Sequence, residues 1–524
     1  MRVFNSTGLC VPERHYMVDI SGRVAQVRAM VERGDYFCIN RARQYGKTTT
    51  LVALERALAG DFEVVSLDFQ ALGHASFATE GSFVSSFCRI VLDRWDAPPV
   101  PSPAREDLQA LARDRSGAAL LDDLFGALRE WLRASTRPVV LIIDEVDSAT
   151  NNQVFLDFLA QLRLQYLGRE RNPAYPAFRS VVLAGVTDVR HLKAKIRPDG
   201  QAKVNSPWNI AADFRVEMGF SRQDVEGMLS GFEADHATGM DVCAVATELV
   251  AWTGGYPFLV SRLCQLVDER GLTWDAAGVD AAVRLLLNER NTLFESLAGK
   301  LEVYPELEPA LRRILMDGER IPYAPDQDDI AQLEMYGFVT RGPDNAVRIA
   351  NRIFETRLYD LFVVEDKLAG SPMYTAGDLG RSKFVRDGRL DMRAVLEGFR
   401  RTYVEVFGPP EEGERFGEFD GRRQFLLYLK PIINGTGNYY IEAQTRDQTR
   451  TDVIVDYLGE RFVVELKIWR GRSRHEEGEE QLRGYLERFG LAVGYLLSFN
   501  FNRTKEPGLS RVVVGDSVLW EETV

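Results

Sequence analysis

The segment RPVVLIIDEVDSAT, residues 137–150, constrains the fold most strongly. Val139 to Ile143 form an unbroken apolar run, with Pro138 before it and Asp144 and Glu145 after it. Such a run has no polar face, so it predicts a strand buried on both sides, as in a parallel sheet covered by helices. Asp144 then stands at the strand's carboxyl end. A second strand candidate, DYFCIN (35–40), runs into INRARQYGKTTTL (39–51). Beyond that loop Leu51, Leu54 and Leu58 recur at helical spacing, and Gly60 follows as a stop signal. Two strand-to-loop junctions in this order predict an α/β domain with a parallel sheet.

The first junction has the chemistry of a phosphate-binding loop. Gln44, Tyr45, Gly46, Lys47, Thr48 and Thr49 lead into a helix whose first backbone N–H groups can hold phosphate oxygens. Lys47 sets a positive charge against the outer phosphates, and the Thr48 hydroxyl is a magnesium ligand. The usual pattern has glycine five residues before Gly46; here Arg41 stands there. Arg41 and Arg43 either add charge beside the phosphates or form solvated surface. At the second junction Asp144 reaches the magnesium shell and Glu145 polarises the attacking water. The strand RSVVLAGVTD (179–188) ends at Thr187, the position of a γ-phosphate sensor. A further strand candidate, FEVVSLDF (62–69), lies between the two motifs. The ligands expected are ATP and Mg2+.

INRARQYGKTTTL, LIIDEVD, LAGVTDVRHLK, SPWNIAADF and TGGYPFLVSRLC, in this order, resemble the AAA-like P-loop ATPases of the archaeal and STAND-type group. The resemblance covers residues 1–365 and implies an ATPase core (1–220), a helical lid (221–300) around Gly254, Gly255 and Pro257, and a winged helix (301–365). The Gly-Gly pair reads equally as a device that brings a helix to the nucleotide or as a plain turn. CVPERHYMVDI either folds over the adenine through Tyr16 or Met17 or packs on the core. In the winged helix, FVTR and AVRIAN flank a Gly-Pro-Asp-Asn turn. The recognition segment DQDDIAQLEMYG carries Asp326, Asp328, Asp329 and Glu334, which repel phosphate, so an intramolecular contact or a protein partner is expected there rather than DNA.

Residues 366–395 are polar with weak periodicity and read as a linker. Beyond it, 396–524 reads as a smaller α/β domain centred on RTDVIVDYLGERFVVELKIW (450–469). Glu465 and Lys467 are two apart, hence on one strand face, and Asp452 stands on the neighbouring strand. Two carboxylates and a lysine make a hard-cation site at which a water can attack a phosphodiester. Asp452 with Glu465-Leu466-Lys467 resembles the PD-(D/E)XK nuclease superfamily. The resemblance implies metal binding by Asp452 and Glu465, action of Lys467 on the water, and a part for Gln481 on the following helix. Thr451 replaces the proline of the name, Glu418 is a further metal contact, and Asp456 is an alternative ligand of the same strand parity. Arg470, Arg472 and Arg474 either hold a nucleic-acid backbone or form a charged loop.

Five scattered cysteines lack metal-finger spacing, and no apolar run reaches the roughly 18 residues of a membrane span. These features predict a cytoplasmic chain without membrane contact. A net charge of −13 excludes a surface that coats nucleic acid throughout, though not a local basic groove. The expected function is ATP binding and hydrolysis that gates metal-dependent cleavage of nucleic acid, DNA first, with defence against foreign DNA as a family-level inference and homo-oligomer formation open. The alternative is a nucleotide switch or interaction protein whose C-terminal domain binds without cutting.

Overall fold

The structure is a computed structural model. It describes residues 2–93, 102–187, 189, 207–315, 319–324, 326–368, 370–386, 389–408, 418–433, 437–441, 453–458, 460–469, 479–480, 482–487, 490–501 and 506–524. Two compact units form: Met1–Val250 with Gly255–Ala282 and Glu334–Gly337, and Ala251–Gly254 with Val283–Leu333 and Phe338–Val524.

The first unit opens with a short parallel pair, β1 (Val3–Phe4) and β2 (His15–Tyr16), followed by α1 (Ser21–Arg33). Its core is a parallel sheet of β3 (Tyr36–Asn40), β4 (Glu63–Asp68), β5 (Val139–Asp144) and β6 (Ser180–Gly185), in the order β3-β6-β5-β4. The sheet interleaves with α2 (Lys47–Leu58), α3 (Glu80–Leu92), α4 (Ser102–Arg113), α5 (Leu121–Ala134) and α6 (Gln153–Arg171). All residues of β5 and β6 are buried, as expected of inner strands with helices on both faces. Alternate residues separate two cores. Cys38, Leu141 and Leu183 pack towards α3, α5 and α6, and Phe37, Ile142 and Val182 towards α1 and α2. The strand inserted between the loop-bearing β3 and the Asp144-bearing β5 is β6. The segment at 62–69, which lies between the motifs in sequence, forms β4 at the sheet edge. Parallel strands need crossover connections, so order in the chain does not dictate order in the sheet. Then follow α7 (Arg222–His236), α8 (Val242–Thr253) up to Val250, α9 (Pro257–Glu269) and α10 (Ala276–Leu287) up to Ala282.

The second unit continues with α11 (Thr292–Val303), α12 (Glu308–Leu315), α13 (Asp328–Met335, up to Leu333), the hairpin of β7 (Val339–Arg341) and β8 (Val347–Ile349), and α14 (Arg352–Leu368). The expected linker at 366–395 is instead largely regular. It contains α15 (Pro372–Phe384) and the paired β9 (Val385–Arg386) and β10 (Arg389–Leu390). Helix α15 packs on α17, where a Cβ at Gly377 would lie 2.1 Å from the Tyr428 carbonyl, so tertiary packing replaces the periodicity that its sequence lacks. After α16 (Met392–Phe407) and α17 (Glu418–Ile433) comes a six-stranded sheet. Its strands are β11 (Gly437–Ile441), β12 (Val453–Tyr457), β13 (Glu460–Ile468), β14 (Val493–Phe499), β15 (Gly508–Val514) and β16 (Ser517–Thr523), in the order β11-β12-β13-β14-β16-β15. β13, β14 and β16 run parallel; the other pairs are antiparallel. Helix α17 covers one face, with Gly421 against Phe499. The helical residues 482–487 cover the other, with Leu482 and Leu486 against Gly494.

Candidate functional site

In the first unit the chain leaves β3 and turns twice through the left-handed region, at Gln44 (φ 58°) and Gly46 (φ 80°), before α2 begins at Lys47. Leu51, Leu54 and Leu58 bury one face of α2 against the sheet, which points the helix start at the strand ends. Arg41 keeps a negative φ, so this position requires no glycine. Its guanidinium donates to the carbonyls of Asn40 and Val216 (both 2.9 Å) and lies 5.2 Å from the Phe214 ring. Arg41 therefore fastens residues 214–216 beside β3 and is not free surface; Arg43 is exposed.

Lys47 is buried, and its Nζ donates to the carbonyls of Arg41 (3.1 Å) and Ala42 (3.2 Å). Burial holds its pKa below the usual lysine value, against the pull of Glu145, Asp147 and Asp144. The Thr48 hydroxyl donates to Asp144 Oδ2 at 2.9 Å, and the Glu145 N–H donates to Asp144 Oδ1 at 2.9 Å. Thr48 and Asp144 thus present hard oxygen donors side by side, a set that fits Mg2+. Burial pushes the carboxyls of both Asp144 and Glu145 up; Thr48 opposes this at Asp144 and Lys47 at Glu145. Glu145 has φ 54°, a left-handed conformation costly for a side-chain-bearing residue. The backbone N–H groups of Val186 and Thr187 donate to Asp147 Oδ2 (2.6 Å) and Oδ1 (2.7 Å). The end of β6 is thereby tied to the loop after β5. Asp147 was missed by sequence reasoning, although its place two residues after Glu145 was a signal.

Beside the loop lies a cleft whose walls include Gln44, Tyr45, Gly46, Thr49 and Thr50 at one end and mainly apolar groups elsewhere, among them Met17, Ile20, Met218, Phe220 and Phe258. Met17 reaches it. Tyr16 does not: its ring packs on Phe4 and Phe232 and its hydroxyl donates to Asp235 at 2.8 Å. Gly255 (φ 75°) sits so close to Phe220 that a Cβ would meet the Phe220 carbonyl at 2.1 Å, and the Phe220 N–H donates to the Gly255 carbonyl at 2.8 Å. That turn sets Pro257, Phe258 and Ser261 of α9 into the cleft wall. Tyr256 packs edge-on against Tyr45 (4.8 Å) and donates to the Arg43 carbonyl.

In the second unit Lys467 Nζ lies 2.7 Å from Glu465 Oε1 on the same face of β13. The ladder pairs Glu465 with Leu496 and Leu496 with Glu521, and Lys467 with Ser498. Glu465, Lys467, Ser498 and Glu521 therefore share one face, and Ser498 donates to Glu521 at 2.7 Å. Glu465, Ser498 and Glu521 are fully buried. Ser498 and Glu521 lie too far along the chain for motif spacing to have found them. Asp456, the alternative ligand, is ion-paired with Arg461 and Arg284, each at 3.1 Å. Asp452 and Gln481 lie outside the described residues, as do Arg470, Arg472 and Arg474. Among the described residues no group of three or more His, Cys, Asp or Glu is placed to hold a metal. Among them, too, no helix is long and apolar enough to cross a membrane.

An uncharacterized WD repeat-containing protein of Synechocystis sp. is 26% identical over 254 residues, 47% of this chain. The chain spans only 19% of that relative's length. Among solved structures, the Walker-type ATPase of Pyrococcus abyssi is 14% identical, with 68% of this chain and 99% of that one covered and a TM-score of 0.44. Cdc6p of Pyrobaculum aerophilum is 14% identical over 69% of this chain and 97% of its own, TM-score 0.32. The Aeropyrum pernix ORC2 protein, in ADPNP and ADP complexes, is 14% identical over 70% and 98%, TM-score 0.35. Residues 14–360 match the AAA-like domain family. With two thirds of its length matched and a phosphate-binding loop facing a paired Asp144 and Glu145, the chain belongs to the AAA-like domain family.

Proposed function

We propose that the first unit binds and hydrolyses ATP. The observation that carries this reading is the convergence of Lys47, Thr48, Asp144 and Glu145 from two strand ends beside a mainly apolar cleft. The α2 N-terminus and Lys47 hold the phosphates, and the cleft takes the base. Thr48 and Asp144 would hold Mg2+, which supplies charge neutralisation on the phosphates when bound. Glu145 orients and deprotonates the attacking water. Thr187, fixed through Asp147, contacts the terminal phosphate.

The second unit is read as a PD-(D/E)XK-like nuclease domain acting on nucleic acid, DNA first, with cleavage gated by the ATP state. Helix α17, the antiparallel β11-β12-β13, the helical residues 482–487 and the parallel β14 follow in the order that supports this reading. Asp452 directly precedes Val453, and the ladder partner of Val453, Val464, directly precedes Glu465. Asp452 and Glu465 would hold a divalent cation, and Lys467, Ser498 and Glu521 share the sheet face of Glu465. The module α12–α13–β7–β8 is read as a winged helix that docks protein rather than DNA, given Asp326, Asp328, Asp329 and Glu334. Defence against foreign DNA and homo-oligomer formation belong to this proposal. One observation favours the rival in which the domain binds without cutting: the described carboxylate, Glu465, is already engaged by Lys467. Incubating the full chain with DNA or RNA, Mg2+ or Mn2+, and ATP or a non-hydrolysable analogue separates the readings. Metal-dependent cleavage supports the nuclease, and binding without cleavage under all conditions supports the switch.

A further inference from the structure

The segment joining β1 to β2 is anchored at its ends and free of apolar anchors between them. At the ends, Phe4 and Tyr16 pack on Phe232 of α7 with ring centroids 5.0 and 5.1 Å apart, and Phe4 also meets Trp274 at 5.9 Å. Arg2 and Tyr16 both donate to Asp235 at 2.8 Å. Residues 5–10, in contrast, contain no buried side chain. Among the described residues, two hydrogen bonds hold this bow to the rest of the unit: Ser6 to Gln265 Oε1 of α9 at 2.7 Å, and the Cys10 N–H to the Thr49 hydroxyl at 3.3 Å. Its other bonds are internal. Asn5 accepts from the Thr7 N–H (3.1 Å) and donates to the Leu9 carbonyl (3.2 Å). Asn5, Ser6, Gly8 and Cys10 form one wall of the cleft beside the phosphate-binding loop.

We propose that residues 5–10 are a gate on the nucleotide cleft, latched by Ser6 and Gln265, whose opening sets how fast nucleotide enters and leaves. This rests on the reading of the cleft as the nucleotide site. The aromatic and ionic anchors at Phe4 and Tyr16 stay in place while the bow swings, because opening breaks only the two hydrogen bonds. The latch joins the amino-terminal segment directly to α9, the helix that also supplies Pro257, Phe258 and Ser261 to the cleft. A gate of this kind alters association and dissociation rates together and leaves the affinity nearly unchanged, since it changes the population of the open form for free and loaded protein alike.

The test is stopped-flow binding and release of a fluorescent ADP analogue by the full chain, its Ser6→Ala and Gln265→Met variants and the double variant. Loss of one neutral hydrogen bond corresponds to about a fivefold change, so both rates should rise about fivefold in each single variant. The double variant should match the singles, because all three lack the same bond. Release at the parental rate in all variants overturns the gate. So does faster release with unchanged association, which would make Ser6 a contact of the nucleotide itself. If the parent chain takes up no analogue at all, the nucleotide reading falls, and the gate falls with it; parental uptake with unaltered variant rates removes the gate alone.

Discussion

At single positions the nucleotide site divides binding from chemistry. In the proposed mechanism Lys47 neutralises phosphate charge and Glu145 acts on water. Lys47→Ala should therefore lose ATP affinity, whereas Glu145→Gln should bind ATP and turn it over on the order of a hundredfold more slowly, as read by equilibrium binding and phosphate release. Parental turnover by Glu145→Gln would remove that residue from the mechanism. Burial raises the Glu145 carboxyl above its ordinary value of 4.5. The base works when deprotonated, so turnover should be full above its raised pKa and fall as pH drops through it. The acid limb of the rate profile should thus lie above pH 4.5, and a limb at or below that value would contradict the buried setting. Arg41 has a different role. Restoring the usual glycine with Arg41→Gly removes its bonds to Asn40 and Val216 and should destabilise the fold by about 2 kcal/mol in urea melts. A gain in stability would show that the loop wanted glycine after all.

Among elements, the turn Gly254-Gly255 and the loop after β5 decide whether the site assembles. At Gly255 a side chain meets the Phe220 carbonyl in a left-handed backbone. Gly255→Ala should cost about 3 kcal/mol and weaken nucleotide binding, because the same turn sets Phe220 and Phe258 against the cleft. Thermal melting and ATP titration read the two effects, and unchanged affinity would reduce the pair to a plain turn. The loop after β5 holds β6 through Asp147. Asp147→Ala leaves the Val186 and Thr187 N–H groups unpaired, so turnover should fall more than ATP affinity. Element formation itself was legible where the pattern was extreme. Val139–Ile143 and Val181–Gly185 are buried throughout because their sequences offer no polar face. Helix α15 was not legible, because its Gly377 and Gly380 are there for close packing and carry no periodic apolar signal.

For the molecule as a whole, the two proposed chemistries belong to different units and should separate by mutation. Asp452→Ala and Lys467→Ala should abolish metal-dependent cleavage of nucleic acid and leave ATP hydrolysis within about twofold, because the residues proposed to hydrolyse ATP all belong to the other unit. Cleavage by both variants at the parental rate would place the site elsewhere.

Sequence alone placed the residues whose position is fixed locally. Gly46, Lys47 and Thr48 follow a strand and open a helix, and Asp144 and Glu145 end another; chain geometry over a few residues suffices to place such groups. Glu465 and Lys467 were legible for the same reason, as alternate residues of one strand. Tertiary structure alone decided what depends on distant partners. It inserted β6 between β3 and β5, turned Arg41 onto Val216, took Asp456 into ion pairs with Arg284 and Arg461, and aligned Ser498 and Glu521 with Lys467 and Glu465. Strand order, ion pairing and register are set by which surfaces bury each other across the fold, and local spacing carries no record of that choice.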